Sequence, residues 1–320
     1  MKLSIKSGVL TFAAALLLVV INIAGFKLVP VFFKLEEKSV MGGGLEIDVY
    51  DELDDNKNGY IKPDDNYIER FLRPSSSKPM DKKYPFDMNK EGKELLPFQK
   101  PYEVIRAYFD TISDASNLGM KKGGCGSIGF EKRPYAEAYK LMSGSFKKEM
   151  PYEKFLKSFE GIGHINLLKL ADMPAVKINN EVCPKYFVEI ETIEGSEIAG
   201  KTSFSYYYGY VTTVQEEGWK IDTIEIRPED FLCHAYHGWW HDAGTLVDAL
   251  YIKKYGVIEK VLGVEEDDPY RNVIAKGKAG RQYRFQFIRL TNGADIELRQ
   301  YVFADGKWVD TKIDVPKQNQ

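Results

Sequence analysis

The chain has few of the residues that most often announce chemistry. It carries three cysteines and four histidines in 320 residues. Cys125, Cys183 and Cys233 stand far apart, so at most one bridge can form after export. Spacing does not name its pair, and buried unpaired thiols are the alternative. No His-Glu-x-x-His pattern occurs, which removes support for a zinc protease of that type. The glycine-rich stretch 121–129 lacks the Lys-Ser/Thr ending of a phosphate loop and reads as a surface loop. Neither charge sign dominates: the net charge is −3 and the pI is near 6.0. With no basic stripe, nucleic acid is disfavoured as a partner.

Long apolar runs are equally scarce. One exists, from Gly8 to Phe26, with only Thr11 and Asn22 polar and with Lys2 and Lys6 ahead of it. A helix needs about 20 apolar residues to cross the hydrocarbon core. The run therefore predicts an N-terminal transmembrane helix over 8–26, with a short cytoplasmic flank, 1–7. The positive-inside rule puts the bulk of the chain outside the cytoplasm, in a single-pass cell-membrane protein. The alternative is a cleaved signal and a secreted product, but Ala24-Gly25 makes a poor cut site.

What the chain does have is 44% hydrophobic and 13% aromatic content, enough to bury the core of one or two domains. Gly42-Gly43-Gly44 break the chain ahead of a small segment, 45–72. From Arg73 to Lys100 the serines, prolines and lysines show little apolar periodicity and read as a linker. Within 45–72, Asp54 to Asp65 place oxygen ligands at loop positions one, three and five, glycine at six and a carboxylate at twelve. A hard cation takes such oxygens, and glycine allows the sharp turn. The stretch resembles an EF-hand loop, in the dockerin variant that ends in Asp. That resemblance implies calcium held by Asp54, Asn56, Asn58, the Tyr60 carbonyl and Asp65. Pro63 inside the loop and the lack of a second loop depart from the pattern; the alternative is a solvated acidic turn.

From Pro101 the apolar residues recur at helical spacing: Val104, Ile105, Tyr108, Phe109 and Ile112 share one face. Pro134 and Pro151 open two further helices, proline being suited to a first turn that needs no amide hydrogen. Beyond Gly163 the period becomes two, with strands expected at 186–193, 202–214 and 219–226. Phe204, Tyr206, Tyr208 and Tyr210 share a face of the middle one.

This order, three helices and then a curved antiparallel sheet, resembles the NTF2-like (cystatin-related) superfamily over roughly 101–231. The carriers are the opening helix from Pro101, the Pro151-Tyr152-Glu153-Lys154-Phe155 turn and the closing strand Gly218-Trp219-Lys220-Ile221-Asp222. Some members use a carboxylate base and a phenol in the cone between helices and sheet. The resemblance makes Asp222 and the tyrosine face candidates here, with His164 as another base; an aromatic stripe of period two is otherwise core.

Residues 232–320 read as a smaller unit: a helix over 243–255, strands near 283–290 and 296–303, a hairpin at Thr291-Asn292-Gly293, and a strand at Trp308. At its start, Cys233, His234, His237 and His241 recur at spacings that on a helix would let imidazoles share zinc or copper. Alternatively Trp239 and Trp240 plug a domain junction with the histidines bonded around them.

The expected fold class is thus α+β: a transmembrane helix, then NTF2-like helices on a curved antiparallel sheet, then a smaller helix-plus-antiparallel-sheet unit. The expected function is a membrane-anchored, extracytoplasmic binding or scaffold protein without catalysis. Its partner would be an unknown protein or small-molecule ligand, and a homodimer is compatible. The alternatives are an NTF2-like hydrolase or isomerase, or metal handling through the 233–242 cluster.

Overall fold

A six-stranded sheet carries four short helices on one face and a second, five-stranded sheet on the other. The computed structural model describes residues 39–45, 78–87, 89, 97–118, 132–195, 202–229, 242–278 and 280–315. The first sheet contains β1 (Ser39–Val40), β2 (Gly43–Leu45), β3 (Ile162–Ile178), β4 (Glu181–Gly195), β5 (Thr202–Gln215) and β6 (Trp219–Pro228). Its order is β1-β2-β6-β5-β4-β3, antiparallel from β6 to β3, while β2 joins β6 in parallel. The second sheet contains β7 (Ile258–Asp267), β8 (Tyr270–Gly277), β9 (Gln282–Arg289), β10 (Asp295–Ala304) and β11 (Lys307–Thr311), an antiparallel meander. Both lie in one compact unit, Ser39–Gln320.

The helices are α1 (Pro101–Ile112), α2 (Arg133–Tyr139), α3 (Gly144–Glu149) and α4 (Tyr152–Lys157). Prolines sit at or beside three of their starts, as the sequence predicts. Their apolar faces close over Ile165, Leu167, Val188, Ile190, Val211, Ile221, Ile224 and Ile226 of the sheet. The space between is packed with rings: Tyr108, Phe109, Tyr135, Phe155 and Phe159 are all 2% exposed or less. Phe155 contacts Phe159 edge-on at 5.0 Å between centroids, and Tyr135 lies 4.4 Å from Phe159. Gly42 turns the chain beneath this cluster at φ +79°, where a Cβ would meet a Phe155 ring carbon at 2.7 Å. No side chain fits there, and the backbone needs a conformation that glycine reaches at little cost.

On the opposite face of the first sheet, Ala171, Phe187 and Tyr208 pack against Ile288, Leu290, Ala294 and Leu298 of the second. The far side of the second sheet is covered by α5 (Ala243–Leu246), which continues as a π-helical segment, Val247–Lys254. Val247 and Tyr251 of that segment pack on Val273, Ala275, Phe285 and Phe287. The chain before α1, read from sequence as a linker, is strapped to the body where it is described. The Lys83 and Tyr84 amides donate to Asp110 Oδ2 at 2.7 and 2.9 Å, and the Met80 amide donates to the Leu167 carbonyl on the β3 edge.

Two sequence expectations need correction. The fold is not the α+β arrangement expected but mostly β-sheet: eleven strands, with short helices, among the described residues. The reason is local. Prolines and glycines cut the helical stretch 133–157 into pieces of 7, 6 and 6 residues. The strands run long instead, 17 residues in β3 and 15 in β4. The second correction concerns the transmembrane helix and the membrane assignment built on it. No helix of the described residues is long and apolar enough to cross a membrane. The longest, α1, has 12 residues, spanning about 18 Å against a core of about 30 Å. It also carries Glu103, Arg106 and Asp110. Residues 8–26 themselves lie outside the described residues.

Candidate functional site

The tyrosine stripe is the natural place to begin, because its face decides what it can do. Tyr208 and Tyr210 pack with Phe187 on the side of the first sheet that meets the second sheet, away from the helices. Tyr206 follows them by strand alternation, and Phe204, at the far end, is 63% exposed. The stripe therefore does not line the helix-covered side. Asp222 is not a free base either: its Oδ1 accepts from the Ser143 hydroxyl at 2.6 Å, and Ser143 accepts from the Phe146 amide at 2.9 Å. Serine caps α3 and the carboxylate holds the cap in place, a structural use of both groups.

Three polar networks occupy the remaining faces. In the first, Glu191 Oε2 accepts from the Tyr206 hydroxyl at 2.9 Å, and its Oε1 from Asn166 Nδ2 at 3.0 Å. Because a carboxylate only accepts, the Asn166 amide nitrogen must face Glu191. Its oxygen then faces His164 Nε2 at 2.9 Å, which puts a proton on Nε2. The carboxylate thus fixes the histidine's tautomer through an amide. Four groups that sequence reasoning leaves separate are brought into one row here.

The second network joins the sheets. Glu189, fully buried, accepts from the Thr291 amide at 2.7 Å and hydroxyl at 2.5 Å, and pairs with Lys169 at 3.1 Å. Lys169 also donates to the Arg289 carbonyl. The third lies within the second half. Asp295 receives Arg289 in a two-pronged pair at 2.9 and 3.0 Å and the Ala243 amide at 2.9 Å. Asp242 caps α5 and pairs with Arg271 at 3.1 Å. Nearby, the Tyr251 hydroxyl meets Glu297 at 2.9 Å, and Gln300 donates to both. Burial raises the Glu297 carboxyl above its ordinary value, only partly offset by the Gln300 and Tyr251 hydrogen bonds. Burial, with the Glu297 charge, also pushes the Tyr251 phenol up. This is a carboxyl–phenol pair, but it sits under the π-helical segment and not in the helix-covered half.

A groove of about 320 Å³ opens between the strap, α1 and β3, lined by Met80, Asp81, Phe109, Asp110, Ser113 and Leu167 among others. Its one buried carboxylate, Asp110, is already taken by two strap amides.

The calcium ligands Asp54, Asn56, Asn58, Tyr60 and Asp65 lie outside the described residues, as do Cys233, His234, His237 and His241. Among the described residues no group of three or more His, Cys, Asp or Glu side chains is arranged to hold a metal ion. Cys183 is a buried free thiol. Lys169, Glu189, Arg271, Arg289, Asp295, Tyr251 and Glu297 are absent from the sequence reading. One signal was available: Glu189 and Glu191 interrupt an apolar strand at positions that alternation sends to a single face. No protein-family profile, characterised protein or solved structure matches the chain.

Proposed function

We propose that this is a non-catalytic binding or scaffold protein, with a first half built on NTF2-like lines. The observation that carries the reading is the ring packing between the helices and the first sheet. Five aromatic side chains at 2% exposure or less occupy the volume where a substrate cone would have to be. The commitment of Asp222 to a helix cap supports it further. Glu191 is likewise held by Tyr206 and Asn166.

The test is an assay of the purified full chain against activated esters and enolisable ketones, alongside Asp222→Asn and Glu191→Gln. The expected result is no turnover above buffer in any of the three. Turnover by the parent that either variant loses would overturn the reading and favour the hydrolase or isomerase alternative. The EF-hand-like loop makes calcium the ion this chain would take. Millimolar calcium is expected to raise the melting temperature of the parent and to leave that of Asp54→Ala unchanged.

A further inference from the structure

Of the outermost strands of the two sheets, β1, β3, β7 and β11, all but the last are guarded. Strand β1 has two residues. Strand β3 is capped where the Asn117 amide donates to the Ile162 carbonyl and the Met80 amide to that of Leu167. Beyond these, Pro174 and register shifts break its line. Strand β7 carries register shifts near Ile258 and Val261 and ends in the acids Glu265, Glu266 and Asp267. Bulges, proline and like charges are the devices that keep a sheet edge from adding another strand. Strand β11 has the opposite character. It pairs with β10 residue for residue from Lys307 to Thr311, without a shift, and its two charges, Lys307 and Asp310, are of opposite sign. It shows solvent Val309, 39% exposed, and beside it lies Phe303 of β10, 44% exposed and packed edge-on against Trp308 at 5.2 Å.

The turn before β11 fixes which of its backbone groups are free. Asp305 and Gly306 both have positive φ, 51° and 76°, and join β10 to β11 in a two-residue turn. Such a turn closes on a hydrogen-bonded pair, here Ala304 with Lys307, and bonded pairs then alternate along the ladder. The amides and carbonyls of Lys307, Val309 and Thr311 therefore point to β10, and those of Trp308 and Asp310 point away from the sheet. Among the described residues these outward groups have no partner. They are self-complementary. A two-fold axis beside Val309 sets Trp308 opposite Asp310 of a second copy and Asp310 opposite its Trp308, so that every outward group of the strand is met, with Val309 facing Val309 at the axis. On one face the Phe303–Trp308 pairs of both copies come together. There each Asp310 lies beside the other copy's Trp308, whose ring centre is 5.1 Å from the Arg284 guanidinium. That attraction offsets the repulsion between the two Asp310 carboxylates, which are diagonal across the axis.

We propose that this protein forms a two-fold homodimer by pairing β11 with β11 of a second copy, edge to edge and antiparallel, with Val309 opposite itself. The second sheet then runs unbroken across both copies, and its outermost strands are the guarded β7 edges, so assembly stops at the dimer. A strand of 5 residues buries less than the roughly 1,200–2,000 Å² of a standard interface, and the dimer is accordingly weak and concentration-dependent. The proposal goes beyond the binding reading above and does not depend on it.

Sedimentation equilibrium of the full chain from micromolar to submillimolar concentration tests it, and a reversible monomer–dimer equilibrium is expected. Val309→Lys puts two cations face to face at the axis, and Val309→Asp two anions. Each is expected to weaken dimerisation at least tenfold while circular dichroism is unchanged, because the side chain is exposed in the single chain. Mixed in equal amounts, the two variants are expected to dimerise again, since opposite charges then meet at the axis. Asp310→Pro removes an outward amide hydrogen and leaves the bonds to β10, and is expected to abolish the dimer; if it unfolds the chain, the Val309 variants keep the test valid. A chain that stays monomeric at submillimolar concentration overturns the proposal. So does a dimer that both Val309 variants leave intact, a mixture of the two that fails to re-form it, or growth beyond the dimer.

Discussion

At the scale of single residues, the polar groups of this protein are deployed as fasteners, and two of them make measurable predictions. Glu297 has its carboxyl raised by burial above the usual 4.5. A group that holds its proton more tightly when folded favours the native state at acid pH, and that contribution is lost as the pH rises through the folded titration. The melting temperature is therefore expected to decline from about pH 4.5 toward neutrality, and Glu297→Gln to flatten the decline. An unchanged slope in the variant would assign the pH dependence elsewhere. Thr291→Val removes the hydroxyl donated to buried Glu189 while the backbone donor remains. A loss of about 1–3 kcal/mol in denaturant unfolding is expected. Little of this was legible in the sequence. Partners such as Glu189 and Thr291 lie 102 positions apart, and nothing local in either residue records the other. The residues that sequence singles out most sharply, the 54–65 loop and the 233–241 histidines, fall outside the described residues.

At the scale of elements, legibility followed periodicity. The helices opening at Pro101, Pro134 and Pro151 and the strands around 186–193, 202–214 and 219–226 were readable because each keeps one apolar face. The hairpin at Thr291-Asn292-Gly293 and the strands on either side of it were readable for the same reason. Strand β3 was missed since register shifts near Ile162, Leu167 and Met173 break its alternation. Strand β7 was missed because its face is almost wholly exposed and carries no apolar pattern. The helix expected over 243–255 is there, but most of it is wound as a π-helix, with the Tyr255 amide reaching back to the Leu250 carbonyl at 2.8 Å. Two variants test how the short helices are held. Phe155→Ala, at the centre of the ring cluster, is expected to cost about 3–5 kcal/mol in denaturant unfolding. Ser143→Ala, which uncaps α3 and releases Asp222, is expected to cost about 1–2 kcal/mol.

At the scale of the molecule, the two sheets are joined by a modest apolar patch and by hydrogen bonds from Thr291 to Glu189 and from Lys169 to the Arg289 carbonyl, with Lys169 and Glu189 ion-paired within the first sheet. Lys169→Ala leaves the Glu189 carboxylate buried beside Thr291 without its cation, a loss of about 3–5 kcal/mol. The parent is expected to melt in one calorimetric transition and the variant in two, the second sheet releasing first. A single transition in the variant would mean that the apolar patch suffices. The parallel pairing of Gly44 with Glu225 and Leu45 with Ile226 carries one more consequence. The partners of this short strand are separated by about 180 positions, and ribosomes add roughly 5–20 residues each second. The nascent N-terminal segment must therefore wait on the order of ten seconds or longer before its docking edge has been made. Until then β2 lacks the strand it pairs with, which makes that segment the natural foothold for a chaperone during synthesis.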